Sequence, residues 1–215
     1  MIKINNICKK YGKSKILDHI SFEINPGDCI GIIGSNGSGK TTLVSIISGI
    51  SKPDAGEIKC SKNCKIGYVP QENPLIDDLS AIDNLRIWYK KSKRELKKEI
   101  KEGSISKLGI DAYKNKSVSK LSGGMKKRLN IAIALLDNPE LIIMDEPSAA
   151  LDLTGKYQIR EYMKYFTETE QKSIIVVSHD LTELSVCNRL YCLKDGKLIP
   201  VNPGYTDKDI MDMLA

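Results

Sequence analysis

Residues 34–41 read Gly34-Ser35-Asn36-Gly37-Ser38-Gly39-Lys40-Thr41 and fit the spacing Gly-x4-Gly-Lys-Ser/Thr at every fixed position. A short apolar run, Cys29 to Ile33, comes directly before this stretch, and a segment of helical composition, Lys40 to Ile47, follows it. A strand, a glycine loop and a helix in this order are the context that a phosphate-binding loop needs. An ordinary glycine turn would not explain Lys-Thr at these offsets. The sequence therefore predicts a nucleotide phosphate site at the start of this helix.

Each residue type in this loop has a chemical reason to be there. Glycines let the backbone wrap closely around a phosphate with its N–H groups pointing inward, and the helix start adds a partial positive charge. Lys40 would supply a full positive charge to the β- and γ-phosphates, and Thr41 would offer its hydroxyl to Mg²⁺. The predicted nucleotide contacts from this stretch are Gly34, Ser35, Asn36, Gly37, Ser38, Gly39, Lys40, Thr41 and Thr42.

A second polar feature follows an apolar run, in Leu141-Ile142-Ile143-Met144-Asp145-Glu146. A buried strand here would deliver two carboxylates at its C-terminal end, where open α/β sheets bind their ligands. We expect Asp145 to hold Mg²⁺, directly or through water, and Glu146 to accept a proton from an attacking water. Such a pair is common on its own, but together with the phosphate loop it indicates nucleotide hydrolysis.

The composition is that of a globular protein with one main domain. The chain has 215 residues, of which 41% are hydrophobic and 28% are charged, and this length can bury a full core. Its longest apolar runs fall far short of the roughly 20 residues that a membrane helix needs. The start of the sequence lacks the layout of a signal peptide. These observations predict a cytoplasmic protein.

The cysteines and histidines outside these motifs suggest no further site. The six cysteines show no paired spacing typical of zinc, and no histidine is near them in sequence, so we expect them to be reduced and metal-free. His19 lies in a β-rich segment without a motif, and we expect it to be structural or on the surface.

The formal net charge is +6, and lysine and arginine concentrate between residues 86 and 107. Such a run can indicate nucleic acid, a membrane surface or an acidic partner. However, Lys91 with Glu95 and Lys98 with Glu102 are opposite charges at helical spacing, and residues 96 and 100 form an apolar stripe. This pattern favours a solvated amphipathic helix, and we expect no nucleic acid partner.

The remaining pattern predicts an α/β fold with a mainly parallel sheet. Residues 2–7 and 16–24 are predicted to be antiparallel strands, and residues 57–59 and 65–69 further strands. The bare apolar runs at 141–144 and 174–177 are typical of strands covered on both faces. From residue 79 to 120 the pattern becomes helical, and apolar residues then recur at helical spacing from Met125 to Leu136. We predict a single domain, 1–215, in which 1–71 and 121–215 form the core with an antiparallel β layer and about 72–120 form an inserted helical subdomain.

The run Leu121-Ser122-Gly123-Gly124 precedes a predicted helix and lies about 20 residues before the acidic pair. With the phosphate loop, it makes the sequence similar to the ATP-binding cassette (ABC) family over nearly its whole length. The resemblance implies a P-loop NTPase core, ATP and Mg²⁺ as cofactors, and ATP hydrolase activity.

The resemblance also implies roles for individual residues. Tyr11 resembles the aromatic that stacks on adenine, Gln71 the glutamine that senses Mg²⁺, and His179 the histidine that contacts the γ-phosphate. Glu146, His179, Gln71 and Lys40 would then be the catalytic set, and Thr41, Gln71 and Asp145 the metal set. Leu151-Asp152 resembles the loop that crosses to a second subunit.

The resemblance further implies a head-to-tail dimer with two nucleotides at its interface. The backbone N–H groups of Gly123 and Gly124 at a helix start, with Ser122, make an anion site. This site cannot serve phosphates that the same subunit's loop already holds, so it would serve the ATP of another subunit, together with Asp152. Two positions depart from the family pattern: Met125 replaces the usual glutamine, and residues 147–150 differ before Leu-Asp. We expect activity to survive both changes.

The partner implied by the resemblance is an integral membrane permease, a separate chain that would hold this subunit on the inner face of the cell membrane. The dimer could be of two identical chains or of two related ones. The short cassette resembles subunits of bacterial drug exporters. The alternative is a soluble ATPase of a non-transport complex, such as iron–sulfur cluster assembly. A module that binds ATP without hydrolysing it is disfavoured because Glu146 and His179 are both present.

Overall fold

The structure is a computed structural model that describes residues 1–62, 64–149 and 151–214. Its strands are β1 (Ile2–Tyr11), β2 (Ser14–Ile24), β3 (Cys29–Ile33), β4 (Ala55–Lys59), β5 (Ile66–Val69), β6 (Leu141–Asp145), β7 (Ser173–Val177), β8 (Arg189–Lys194) and β9 (Lys197–Pro200). Its α-helices are α1 (Lys40–Ile47), α2 (Ala81–Trp88), α3 (Lys93–Glu102), α4 (Gly123–Leu135), α5 (Leu153–Lys164), α6 (Leu181–Leu184) and α7 (Asp207–Leu214). Short 3₁₀ turns lie at 106–108, 110–112 and 118–120, and one π-helical turn lies at 165–169.

The six-stranded sheet positions the candidate site. Its order is β5-β6-β7-β3-β8-β9, and all neighbours are parallel except β8 and β9. Strands β3, β6 and β7 are buried at every residue, because helices and the second sheet cover both faces. Parallel neighbours end at the same edge, so the segments after residues 33, 145 and 177 come together there. The predicted mainly parallel α/β fold is confirmed.

The second sheet has the order β2-β1-β4 and is antiparallel throughout, as predicted. Strands β1 and β2 are longer than the sequence indicated, since pairing continues to Tyr11 and Ser14 at the hairpin turn. The register shifts three times along this pair, which is typical of bulged, strongly twisted strands. The extended hairpin carries Tyr11 beyond the core and towards the glycine loop.

Residues 81–120 form two α-helices and three 3₁₀ turns, so the helical segment lies where the sequence placed it. The opposite charges at helical spacing in its amphipathic helix do not form salt bridges among the described residues. Glu95 accepts hydrogen bonds from the backbone N and the hydroxyl of Ser92 in a capping box, so it is not paired with Lys91. Lys98 and Glu102 do not form a salt bridge in the described chain either. The apolar stripe is confirmed, since Leu96 and Ile100 are buried.

Helix α4 ends at Leu135, slightly earlier than the apolar pattern indicated. Within the described ranges, no helix combines the length and the apolar character that crossing a membrane requires.

Candidate nucleotide-binding site

The loop between β3 and α1 requires glycine for physical reasons. A side chain at Gly34 would place its Cβ 2.6 Å from the carbonyl oxygen of Leu193. At Gly39 the Cβ would lie 2.7 Å from Cγ2 of Ile16, and the backbone there has φ of +103°, a conformation that favours glycine. Gly37 also has a positive φ, +81°. The loop therefore forms a tight concave turn of bare backbone at the start of α1.

Lys40 folds back into this loop. Its Nζ donates hydrogen bonds to the carbonyl oxygens of Gly34, at 2.7 Å, and Ser35, at 3.0 Å. Burial lowers the pKa of Lys40, and the nearby charges of Glu146 and Asp145 act in the opposite direction. The hydroxyl of Ser38 is buried and has no hydrogen-bond partner in the described part of the chain. The ammonium group of Lys40 and the unpaired buried hydroxyl of Ser38 can both bind phosphate oxygens.

Asp145 ends β6 beside the loop and is almost fully buried, at 4% exposure. Its Oδ2 accepts hydrogen bonds from the hydroxyls of Thr41, at 3.2 Å, and Tyr68, at 3.4 Å. Burial raises the pKa of the Asp145 carboxyl, and these two hydrogen bonds offset part of that effect. A carboxylate next to a threonine hydroxyl is an oxygen donor set suited to a hard cation such as Mg²⁺. Thr41 and Asp145, both predicted as metal residues, are thus adjacent.

Tyr68 is a residue of this site that sequence reasoning missed. It lies on β5, the neighbour of β6, and burial raises the pKa of its phenol to about 12. The sequence signal was its position three residues before Gln71, at the end of a predicted strand. Tyr68 therefore bonds the same carboxylate oxygen of Asp145 as Thr41 does.

Glu146 and His179 form a direct contact. Nδ1 of His179 lies 2.8 Å from Oε1 of Glu146. The backbone of Glu146 has φ of +47°, which is uncommon for a residue with a side chain, and its N–H donates to the carbonyl oxygen of Val177 at 2.8 Å. The Glu146 side chain is 14% exposed and the His179 side chain 79% exposed. A turn in the backbone therefore aims Glu146 at His179, which follows the neighbouring strand.

These groups line one cavity of about 410 Å³. Its lining contains predicted site residues from five separate parts of the sequence, together with Ile16: Tyr11, Asn36, Gly37, Gly39, Lys40, Thr41, Thr42, Gln71, Asp145, Glu146 and His179. Gly34, Ser35 and Ser38 belong to the loop beneath it. The volume is in the range of small-molecule sites, and the polar groups converge on one side.

The four residues predicted to serve a second subunit's ATP lie away from this cavity. Ser122 is exposed and caps α4, accepting a hydrogen bond from the N–H of Met125 at 3.3 Å. Gly123 and Gly124 follow in the first turn of the helix. Asp152 is exposed and caps α5 by accepting from the N–H of Gly155 at 2.7 Å. Ala150, the last residue of the departure from the family pattern at 147–150, lies outside the described residues.

The fold brings a histidine beside a cysteine although the two are distant in sequence. The ligand atoms of Cys8, Asp18 and His19 lie within 4.8 Å of one another, because the β1–β2 pairing brings residue 8 beside residue 19. Asp18 is already engaged there: its Oδ1 lies 2.5 Å from Nζ of Lys15 and 2.5 Å from Nδ1 of His19. The group is an ion-pair network at the surface.

Comparisons with known proteins agree with this geometry. The family model described as ABC transporter matches residues 17–149. The chain is 35% identical over 202 residues to an uncharacterised ABC transporter ATP-binding protein of Methanocaldococcus jannaschii, covering 92% of this chain and 76% of that protein. It is 36% identical over 215 residues to the linearmycin resistance ATP-binding protein LnrL of Bacillus subtilis, covering 94% of this chain and 68% of that protein.

Solved structures show the same fold. A dimeric ATP-binding cassette in a post-hydrolysis state, bound to ADP and Pi, is similar with a TM-score of 0.80 and 31% identity. The match covers 92% of this chain and 96% of that one.

Proposed function

We propose a transport function from the premise that this chain belongs to the ABC transporter family and is an ATP-binding subunit of its ATPases. It would drive transport through a separate membrane permease. In this proposal the subunit binds Mg-ATP beside Lys40, closes head to tail with a second cassette, and opens again after hydrolysis. The single observation that carries the proposal is the cavity in which Lys40, Asp145, Glu146 and His179 converge.

Hydrolysis in this site would divide among a few side chains. Lys40 would exchange its two carbonyl contacts for phosphate oxygens, and Thr41 and Asp145 would hold the metal. Mg²⁺, when bound, supplies charge neutralisation at the β- and γ-phosphates. Glu146 would take the proton of the attacking water, and His179, bonded to its Oε1, would fix its direction. Gln71, at the rim of the cavity, would complete the metal set.

The cavity alone does not include every group that the family resemblance assigns to ATP. Ser122 and the first-turn N–H groups of α4 are outside it, as is Asp152, and both helix starts are exposed. An exposed helix start with free N–H groups favours an anion. This arrangement supports a head-to-tail dimer, of identical or related chains, in which each ATP is completed by the other subunit.

A second cavity supports the permease as partner. It has a volume of about 780 Å³ and lies between β5, α4 and the end of α2. Trp88 is 56% exposed and Ile50 is 66% exposed on its lining, although large apolar side chains are usually buried. Exposed apolar grooves of this kind mark interaction sites and can accept a helix. We infer that a cytoplasmic helix of the permease binds here, holding the subunit at the inner face of the membrane.

This arrangement fits one ABC ATPase domain over 1–215. The segments 1–71 and 121–215 would form its core, and about 72–120 its helical subdomain. Trp88, at the end of α2, places part of the proposed docking groove on that subdomain. The resemblance to LnrL, which is named for linearmycin resistance, favours an exporter of the drug type.

The experiment that tests the transporter assignment is co-purification. Glu146→Gln protein is trapped with ATP, recovered from gently solubilised cells of its source, and its partners are identified. We expect an integral membrane protein in near-equal amount, and we expect Trp88→Glu in the same background to lose it while still dimerising with ATP. Recovery of soluble partners alone would contradict the transporter and support a soluble complex such as iron–sulfur cluster assembly.

A further inference from the structure

Lys127 is a charged residue in an unusual place. It lies on α4, five positions after the cap Ser122, and is only 2% exposed. Lysine is almost never fully buried unless its charge is partnered, because removing an ammonium from water is costly. Its Nζ donates hydrogen bonds to the backbone carbonyl oxygens of Pro70, at 3.2 Å, and Gln71, at 2.9 Å. The buried charge is therefore used to hold the main chain of the loop that carries Gln71.

A second contact from the same face of α4 reaches the same loop. Asn130 is three residues after Lys127, and positions three apart lie on one helix face. Asn130 is 2% exposed, and its Nδ2 donates to Oδ1 of Asn73 at 3.2 Å. The loop after β5 is thus attached to α4 at two points, and its backbone cannot shift at Gln71 without moving α4 or breaking the Lys127 contacts.

An opposite charge lies on a third segment. Glu183, on α6 just after His179, is 3% exposed, and its carboxylate oxygens form no hydrogen bond of normal geometry in the described part of the chain. Burial lowers the pKa of Lys127, and the negative charges of Glu183 and Asp145 oppose that fall. Burial also raises the pKa of Glu183, and the nearby hydroxyls of Ser178 and Ser148 lower that pKa in part. Lys127 thus bonds the Gln71 loop from α4, and the nearby negative charge of Glu183 favours its charged form although the two form no salt bridge in the described residues.

Fold stability alone is a poor reason to retain such a group. A buried ion pair is often no better for stability than apolar side chains of similar volume, because desolvation offsets the attraction. A lysine that spans two carbonyls does, however, fix the position of the Gln71 loop relative to α4. Gln71 lines the nucleotide cavity. Helix α4 begins directly after its cap, Ser122.

We propose that Lys127 is a positioning residue that couples the Gln71 loop to α4, so that nucleotide binding at the cavity sets the placement of Ser122 for the second subunit. This inference rests on the proposed function, since it requires ATP-driven closure. A helix has about 3.6 residues per turn. The Lys127 contact, five residues after Ser122, therefore lies roughly one and a half turns from the start of α4. Lys127 does not line the nucleotide cavity, and acts through Gln71 and α4.

The test compares Lys127→Met, which keeps the side-chain length and removes the donors, with Lys127→Arg, which keeps charge and donors. Lys126→Met is the matched control, since Lys126 is the adjacent lysine on α4 and its Nζ pairs with Asp77 at the surface, at 2.9 Å. Because Lys127→Met leaves Glu183 without its cation, the double variant Lys127→Met/Glu183→Gln removes both charges and protects the fold. ATP affinity, kcat and, in the Glu146→Gln background, the ATP-dependent dimer fraction are measured for each.

We expect Lys127→Met and the double variant to bind ATP within about twofold of wild type, while kcat and the dimer fraction at limiting ATP each fall at least about fivefold, a change of roughly 1 kcal/mol in coupling. Lys127→Arg should recover part of the loss, and Lys126→Met should match wild type. Wild-type kcat and dimerisation in the folded double variant would overturn the inference. Absence of ATP hydrolysis or dimerisation in the unmodified protein would instead contradict the proposed function.

Discussion

Nδ1 of His179 lies 2.8 Å from Oε1 of Glu146, so the residues that follow two neighbouring parallel strands are joined by one hydrogen bond. Glu146 reaches this position through a left-handed backbone turn, with φ of +47°, a local strain of the kind that clusters at functional sites. The contact gives the carboxylate one fixed direction, while the exposed histidine ring remains able to reach a ligand in the cavity.

Removing the imidazole should therefore slow hydrolysis more than it weakens binding. We predict that His179→Ala lowers kcat by about 10²-fold, the scale of a positioned acid–base group, and changes the ATP dissociation constant by less than about threefold. Steady-state turnover and equilibrium nucleotide binding measure the two quantities. Equal losses in both would show that His179 serves mainly to bind nucleotide.

The Asp145 carboxylate should favour metal binding and should lower the stability of the fold when no nucleotide or metal is bound. Burial raises the pKa of its carboxyl, so at neutral pH the nucleotide-free fold holds a charge that prefers water. We predict that Asp145→Asn, which keeps an acceptor for Thr41 and Tyr68, raises the melting temperature without nucleotide by about 2–4 °C and abolishes Mg-dependent ATPase activity. An unchanged or lower melting temperature would contradict the burial argument.

The direction of the Asp145 pKa shift determines how the difference in melting temperature between Asp145→Asn and wild type depends on pH. The pKa of Asp145 is higher in the folded state than in the unfolded chain, so below the ordinary aspartate pKa both states are protonated and the cost is absent. Above the folded pKa the full cost is present. The gap in melting temperature between Asp145→Asn and wild type should be widest near neutral pH and close as the pH falls towards about 4. A gap that widens on acidification would have the wrong sign.

Thr41 tests the metal assignment with a conservative control. Its hydroxyl donates to Oδ2 of Asp145 at 3.2 Å, and we assign both to Mg²⁺. We predict that Thr41→Val, which removes the hydroxyl and keeps the shape, raises the Mg²⁺ concentration for half-maximal ATPase activity by about tenfold or more, the scale of losing one ligand or its support. Thr41→Ser should stay close to wild type. Titration of ATPase activity with Mg²⁺ measures this concentration for each variant. Equal concentrations for Thr41→Val and Thr41→Ser would show that Thr41 does not belong to the metal set.

Met125 lies at the start of α4, where the family usually has glutamine. The proposed anion site depends on Ser122 and on the helix-start N–H groups, and the N–H of Met125 already donates a hydrogen bond to the Ser122 hydroxyl. We predict that Met125→Gln changes ATPase turnover by less than about tenfold, which corresponds to 1.4 kcal/mol in the barrier. A larger change in kcat would show that this side chain has a direct role in closure or hydrolysis.

The local patterns of the sequence predicted the elements on either side of the glycine loop. Residues 29–33 and 40–47 are a strand and a helix with the predicted bounds, because the loop between them has an unambiguous spacing. The two other central strands were found to within one residue, since fully buried strands are bare apolar runs. Residues 181–214, where polar and apolar residues mix, gave no prediction, although they form α6, β8, β9 and α7.

The supporting contacts of the site could not be read from the sequence. Lys127 stands in a basic run and would ordinarily be assigned to the surface, because a single buried charge leaves no periodic signal. Tyr68 and Glu183 act on residues far away in sequence, and only the tertiary fold brings them there. The contact of Cys8 with the residue 19 backbone was missed for the same reason: it depends on a strand register interrupted by bulges.

The measurement that tests the central claim most directly is ATP turnover of Glu146→Gln beside wild type, with the dimer fraction recorded in the same samples. Glutamine keeps the size of Glu146 and a hydrogen-bond contact to His179, but it cannot accept the proton of water. We predict turnover at least about 10²-fold slower than wild type, with ATP binding retained and a dimer that accumulates in ATP. Near-normal turnover would contradict Glu146 as the base and with it the proposed mechanism.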